Sequence, residues 1–198
     1  KEGELAWQAL VLNNLGVLYH NLGEYEKPSL SLQEGLAFAR RSRYLQTEAI
    51  ISIGMGELYA ELEEFDGARQ SYQQAEEIAQ EINDRFLLNY LALAKTALSL
   101  MQGELEQAER LIADVHPSIR ASQSQYELGL WSLQRGQLAL AKGEARNAVE
   151  FLAEAERCFS EDGRELEISW SRVWLAAALS SAGKDSDAQE KFKSLLTT

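Results

Sequence analysis

Cysteine occurs once, at Cys158, so the chain cannot close an internal disulfide and does not read as a stapled secreted scaffold. That usage fits a reducing compartment, and a cytoplasmic location is the expectation. Histidine is nearly as scarce. His20 and His116 stand at ligand spacing neither from each other nor from Cys158, so no metal site is expected. Basic residues are outnumbered, with 19 Lys+Arg against 31 Asp+Glu and a formal net charge of -12. Such a surface repels a phosphate backbone and argues against nucleic acid as a direct ligand. No apolar run reaches the roughly 18 residues that a membrane span requires. Also missing are a glycine-rich phosphate loop before a lysine, a paired-histidine helix motif and a nucleophile elbow. The chain is therefore read as no enzyme, with no cofactor. Its carboxylates, such as Glu76, Glu77 and Glu81, are scattered over helix surfaces; they read as a solvated face, with a basic partner segment as the functional alternative.

What the chain does contain is a repeat. With 198 residues, 45% of them hydrophobic, it can bury a substantial core. The stretch Leu12 to Tyr25 reads as an amphipathic helix, a glycine turn at Gly23 and an aromatic opening the next helix. That turn is answered at Glu63, Gly103, Gly143 and Gly183, each 40 residues on. Five units follow, approximately residues 4–41, 43–82, 84–120, 125–160 and 164–198, in one elongated array spanning 1–198 in which each unit packs on its neighbours.

In the first unit Leu12, Leu15, Leu18, Tyr19 and Leu22 share one stripe at helical spacing. Gly16 lies inside that stripe. A mid-helix glycine costs about 1 kcal/mol relative to alanine, so a neighbouring helix is expected to approach too closely there for a side chain. Glu63 replaces the turn glycine in the second unit, so that turn must close without one. Asp84 is a candidate N-cap for the third unit, and Pro28 is tolerable in a first helical turn. Pro117 predicts an early end to the second helix of unit three, and the Ser- and Gln-rich stretch His116 to Gln125 an irregular connection. Cys158 reads as a small buried apolar residue. The chain opens at Lys1 close to its first helix and ends without a further polar helix, so it reads as part of something longer.

The small residues Gly16, Gly56, Thr96, Gly136 and Ala176, the turn seven later, and the alanines twelve later at Ala68, Ala108, Ala148 and Ala188 resemble the tetratricopeptide repeat. Tyr19 and Tyr59 match the family's helix-one tyrosine, and Tyr72 and Phe192 its helix-two aromatic. Pro28, Ser99, Ala139 and Leu179 depart from the pattern. The resemblance implies an all-α, right-handed superhelical solenoid of five antiparallel helix pairs, about ten helices. The 40-residue period implies helices longer than in the common 34-residue unit, similar to the arrays of MalT-type bacterial regulators and, less closely, kinesin light chain.

The resemblance also implies that first helices line a concave groove for a peptide, helix or loop of a partner. The face opposite the packing stripe then reads Leu10, Asn14, Val17; Ile50, Gly54, Glu57; Tyr90, Ala94, Ala97; Leu130, Gln134, Gln137; and Trp170, Trp174, Ala177. Asn13, His20 and Asn21 add polar groups at the first end, and Leu93 joins Tyr90 as an apolar anchor. Trp170 and Trp174 share a helix face that either packs on a neighbour or stands in the groove. The carboxylate-clamping mode of chaperone-binding relatives needs Lys or Arg at these places, and none is present. The leading functional expectation is a protein-interaction scaffold for another protein or another domain of its parent. The alternatives are the sensor domain of a bacterial regulator, binding a small molecule or signalling peptide, and self-association, as a homodimer, through the uncapped last repeat.

Overall fold

The computed structural model of the chain describes residues 2–21 and 26–195. Among them are ten α-helices and no strand: α1 (Glu2–Asn21), α2 (Glu26–Ser42), α3 (Leu45–Glu61), α4 (Phe65–Glu81), α5 (Arg85–Met101), α6 (Leu105–Ser122), α7 (Gln125–Ala141), α8 (Ala145–Asp162), α9 (Glu165–Ser181) and α10 (Asp185–Ser194). Pro28 is the third residue of α2, within its first turn, where its missing N–H costs no helical bond. Gly23 lies outside the described residues.

The helices are cut to a common length. Of those bounded on both sides by described turns, α3, α4, α5, α7 and α9 have 17 residues and α6 and α8 have 18. Each of the eight described turns holds one residue in the left-handed region, and these fall 20 residues apart: Arg43, Glu63, Asn83, Gly103, Gln123, Gly143, Gly163 and Gly183. Glu63 therefore adopts the conformation of the glycine it replaces, with φ 59°. The following N–H usually reaches back five residues, as from Glu64 to the Tyr59 carbonyl at 2.8 Å and from Glu144 to that of Ala139 at 2.8 Å. These bonds satisfy helix-end carbonyls, and the same closure recurs whichever side chain stands at the turn. Asp84 caps α5 through its Oδ1, which accepts from the Leu87 N–H at 3.1 Å.

Two expectations for unit three are corrected. The helix does not end early at Pro117 but runs on to Ser122, with Pro117 inside it. Proline removes the donor for the Ala113 carbonyl, yet Ala113 and Pro117 are both exposed, so water can take that bond. Val115 and Ile119, on either side, are buried and keep the segment packed as helix. Nor is the connection through Gln125 irregular. It closes on a left-handed Gln123, and Ser124 caps α7 through an Oγ that accepts from the Glu127 N–H at 3.3 Å.

The packing divides the chain into two units, Lys1–Ala94 and Lys95–Thr198, with the division inside α5. In the first unit α1 pairs with α2 and α3 with α4, and α2 packs on α3. Its core includes Ala9, Leu32, Leu36, Ala39, Ile51 and Leu58. In the second, α7 pairs with α8 and α9 with α10, while α6 packs on α7 and α8 on α9. Leu133, Leu152, Phe159, Ile168, Leu175 and Leu179 fill its core. Burying a leucine or phenylalanine fully, as at Leu152 and Phe159, stabilises by about 1.5–3 kcal/mol.

Close approach within a pair explains the mid-helix glycines. A Cβ on Gly136 would lie 2.7 Å from Leu152 Cδ2 and nearer still to its Cγ, and one on Gly56 would lie 2.6 Å from Tyr72 Cδ1. In both pairs the large residue follows its glycine by 16 positions, so the second helix fills the space that the first leaves vacant.

Candidate functional site

Site residues are positioned by α1, α3 and the start of α5 in the first unit and by α7 and α9 in the second. In the first unit Asn14 is exposed, while Leu10, Ile50, Gly54, Glu57 and Tyr90 are half-buried. The structure brings Glu57 and Tyr90 together: the Tyr90 hydroxyl donates to Glu57 Oε1 at 2.6 Å. Phe86, one turn before Tyr90 and exposed, lies with its ring centroid 6.4 Å from the tyrosine ring. The same region holds the buried Tyr72, whose phenol is pushed well above its ordinary range by burial and then by the Glu57 and Glu61 carboxylates. Tyr72 is thereby a neutral packing group at any physiological pH.

Two expected groove residues prove to be internal. Leu93 is 3% exposed and belongs to the core, so it is no surface anchor. The step from Tyr90 to Leu93 is about 300° around the helix, which carries the side chain from the face of Tyr90 onto the packing stripe. Asn13 is also buried, with its Oδ1 3.7 Å from where Gly54 of α3 would carry a Cβ, and that oxygen has no hydrogen-bond partner among the described residues. Val17, His20 and Asn21 lie on α1, but their side chains fall outside the described residues.

In the second unit Leu130, Gln134 and Gln137 are half-buried on α7. Trp170 and Trp174, at the register positions of Leu130 and Gln134 one repeat later, are 53% and 37% exposed on α9. Ala177 continues that exposed face. The neighbouring Arg172 is engaged elsewhere: its Nε donates to Glu156 Oε1 at 2.8 Å, and Lys191 Nζ donates to Glu156 Oε2 at 2.8 Å. Burial alone would raise the Glu156 carboxyl, but the bonds from Lys191 and Arg172 outweigh it and hold the group below its ordinary range. One carboxylate thus ties α8 to both α9 and α10.

A second cluster escaped the sequence reading. Trp131 of α7 donates its indole N–H to the Ile112 carbonyl of α6 at 2.9 Å and stacks on His116 with ring centroids 4.3 Å apart. Phe151 of α8 meets Trp131 edge-on, and the Arg135 guanidinium lies 4.8 Å from the Phe151 centroid and 5.7 Å from that of Trp131. Three helices are joined by these contacts, each ring filling a gap that its neighbours leave. Cys158 is fully buried, and burial pushes its thiol up, which disfavours the thiolate that any cysteine chemistry would need. Among the described residues no group of three or more His, Cys, Asp or Glu could hold a metal ion, and no helix is long and apolar enough to cross a membrane.

The repeat geometry has a counterpart among known families. Residues 52–82, which include the Gly56–Tyr72 contact, match the tetratricopeptide repeat. That match spans the second half of α3 and all of α4. No curated protein sequence matches it. Of solved structures, BtubC (BKLC) from P. vanneervenii is similar to this chain with a TM-score of 0.70 at 15% identity, covering 98% of this chain and 80% of its own. PilW, a widely conserved type IV pilus biogenesis factor, aligns over 96% of this chain and 93% of its own with a TM-score of 0.45 at 15% identity. The helical fold of the chain is thus shared by a solved structure over nearly its whole length.

Proposed function

We propose that the chain is a protein-interaction scaffold that holds a peptide, helix or loop of a partner, or of another domain of its parent protein, against the exposed faces of its first helices. The observation that carries this reading is the pair Trp170 and Trp174. They stand one turn apart on α9, both open to solvent, on a chain whose other expected groove residues are mostly polar or half-buried. Exposed tryptophans on a rigid helix are what a recognition surface requires, because a few large rings commonly carry most of the binding energy. The half-polar setting of Gln137 suits an amphipathic helix or extended segment whose apolar side chains meet the rings and whose backbone or polar groups meet that amide. In the first unit Tyr90, Glu57 and Asn14 form the corresponding candidate face.

The test is capture from lysate of the source cells by the wild-type chain beside Trp174→Ala and Tyr90→Ala variants, with bound proteins identified by mass spectrometry. A true partner is lost with one variant or both while circular dichroism shows each variant still folded. Loss of a tryptophan anchor weakens binding by about 2 kcal/mol, roughly 30-fold. Equal recovery of every protein by all three baits would overturn the assignment of these faces.

A further inference from the structure

In the first unit the turn between α2 and α3 and the turn between α4 and α5 together line an open groove of about 660 Å³. Arg43 and Tyr44 come from one turn and Asp84 and Arg85 from the other, and the half-buried Leu45 and Ile82 supply apolar surface. Tyr44 is 48% exposed, and both arginines are open to solvent. The carboxylates nearby in sequence are already engaged. Asp84 accepts from the Leu87 N–H through Oδ1 at 3.1 Å and from Gln46 Nε2 through Oδ2 at 2.9 Å, and Glu48 is held by Arg40 at 2.8 Å. Neither Arg43 nor Arg85 enters an ion pair among the described residues.

Two repeats further on, in the second unit, the same register positions carry different chemistry. Gln123 stands where Arg43 does and Glu165 where Arg85 does, while Tyr126 and Arg164 take the places of Gln46 and Asp84. The Arg164 guanidinium lies 4.6 Å from the Tyr126 ring centroid, and its Nε donates to Asp162 at 2.7 Å. Both pairs of turns are thus bridged at one equivalent place, by Gln46 and Asp84 in the first unit and by Tyr126 and Arg164 in the second. Only the first flanks its bridge with two unpaired arginines. On a chain of net charge -12, where Arg40, Arg69, Arg157, Arg164 and Arg172 each grip a carboxylate, such a pair is a local reversal of sign.

We infer that this groove binds an acidic peptide segment of a partner protein, with carboxylates on Arg43 and Arg85 and an apolar side chain between them against Tyr44, Leu45 and Ile82. A guanidinium presents paired N–H donors in a planar fork that matches a carboxylate, and it remains charged at every physiological pH. The occupant is a peptide because the groove is far larger than a single anion and part of its lining is apolar. Carboxylates suit it better than phosphate. The Asp84 carboxylate belongs to the same lining and repels a doubly charged group more strongly than a singly charged one. This goes beyond the scaffold reading and rests on none of its residues.

The experiment is fluorescence anisotropy of a labelled probe peptide, Gly-Glu-Glu-Leu-Glu-Glu-Gly, titrated with the 198-residue chain and with an Arg43→Gln/Arg85→Gln double variant. Both substitutions place a residue that the chain already carries at an equivalent position: Gln123 has the same φ of 57° as Arg43, and Gln125 lies 40 residues after Arg85. The double variant is therefore expected to fold, and circular dichroism checks this. An Arg120→Gln/Arg146→Gln variant removes the same charge at two exposed arginines elsewhere and serves as the control. The expected result is saturable binding by wild type and control, binding weaker by about tenfold or more in the groove variant, and none of a probe with Gln in place of Glu. A wild type that does not bind, a groove variant that binds as tightly as wild type, or a control that loses as much would each overturn the proposal. Equally tight binding of a single-stranded oligothymidylate of matched charge would overturn it too, by making the groove a general polyanion site.

Discussion

Replacing glycine by alanine inside a helix ordinarily stabilises it by about 1 kcal/mol. The sign should reverse where a partner helix occupies the space of the new methyl group. At Gly136 the Cβ would lie 2.7 Å from Leu152 Cδ2 and nearer to Cγ, and Leu152 is fully buried, so it has no solvent to swing into. Overpacking of this kind costs about 1–3 kcal/mol, and an approach this close belongs at the upper end, leaving Gly136→Ala less stable by about 1–2 kcal/mol after the propensity gain. Gly54 is the internal control. The nearest atom to its Cβ position is Leu32 Cδ2 at 3.6 Å, an ordinary contact, so Gly54→Ala should stabilise by about 0.5–1 kcal/mol. Urea unfolding followed by circular dichroism reads both through the midpoint at unchanged slope. A Gly136→Ala/Leu152→Ala double variant should lose at least about 1 kcal/mol less than the sum of its single variants, because the clash is gone. A Gly136→Ala variant as stable as the wild type would refute the claim that close approach selects glycine there.

Three further outcomes follow from the same contacts. Glu156→Gln, which keeps the shape but loses the charge that Arg172 and Lys191 grip, should cost about 1–2 kcal/mol near neutral pH. Because the folded carboxyl titrates below its unfolded value, that stabilisation is full above the unfolded pKa and is lost as pH falls through the folded one. The melting-temperature gap between wild type and Glu156→Gln should therefore hold from neutrality to about pH 5 and narrow below about pH 4. Gly143→Ala should cost about 1 kcal/mol by thermal melting through backbone strain alone, since φ is +78° and no atom lies within 4 Å of the new Cβ; Gly143→Asn should cost less. Trp131→Phe, which removes the indole donor to Ile112 and shrinks the ring on His116, should lower stability by about 1–2 kcal/mol in the same assay, with no comparable loss for Trp174→Phe.

The period was legible because Gly103, Gly143 and Gly183 mark one series of turns. The alternate series stayed hidden because three of its four left-handed positions are Arg43, Asn83 and Gln123, whose side chains do not advertise the conformation that helix packing on either side imposes. Pro117 misled for a related reason: a local rule about proline yields when exposed carbonyls find water and flanking residues are buried. Small residues at Gly56 and Gly136 did signal close approach, since the cost of glycine in a helix needs a steric cause. Site residues were harder to read. Trp174 and Leu93 were both plausible as anchors, but the side chains of neighbouring residues on a helix point about 100° apart, so a small error in the assigned face moves a residue from surface to core. The cluster of His116, Trp131, Arg135 and Phe151 could not be read, because it draws on three helices and no spacing along the chain records their meeting.

The even spacing of left-handed turns bears on how such a chain can change in length. One residue added within a helix rotates everything beyond it by about 100° relative to the stripe that packs, taking leucines out of the core and carboxylates into it. A turn already carrying its single left-handed residue has no spare position to absorb the error. Gradual growth is therefore closed to this architecture, and duplication or deletion of a whole 40-residue cassette, cut at any one of the turns, is the step that leaves every remaining contact in register.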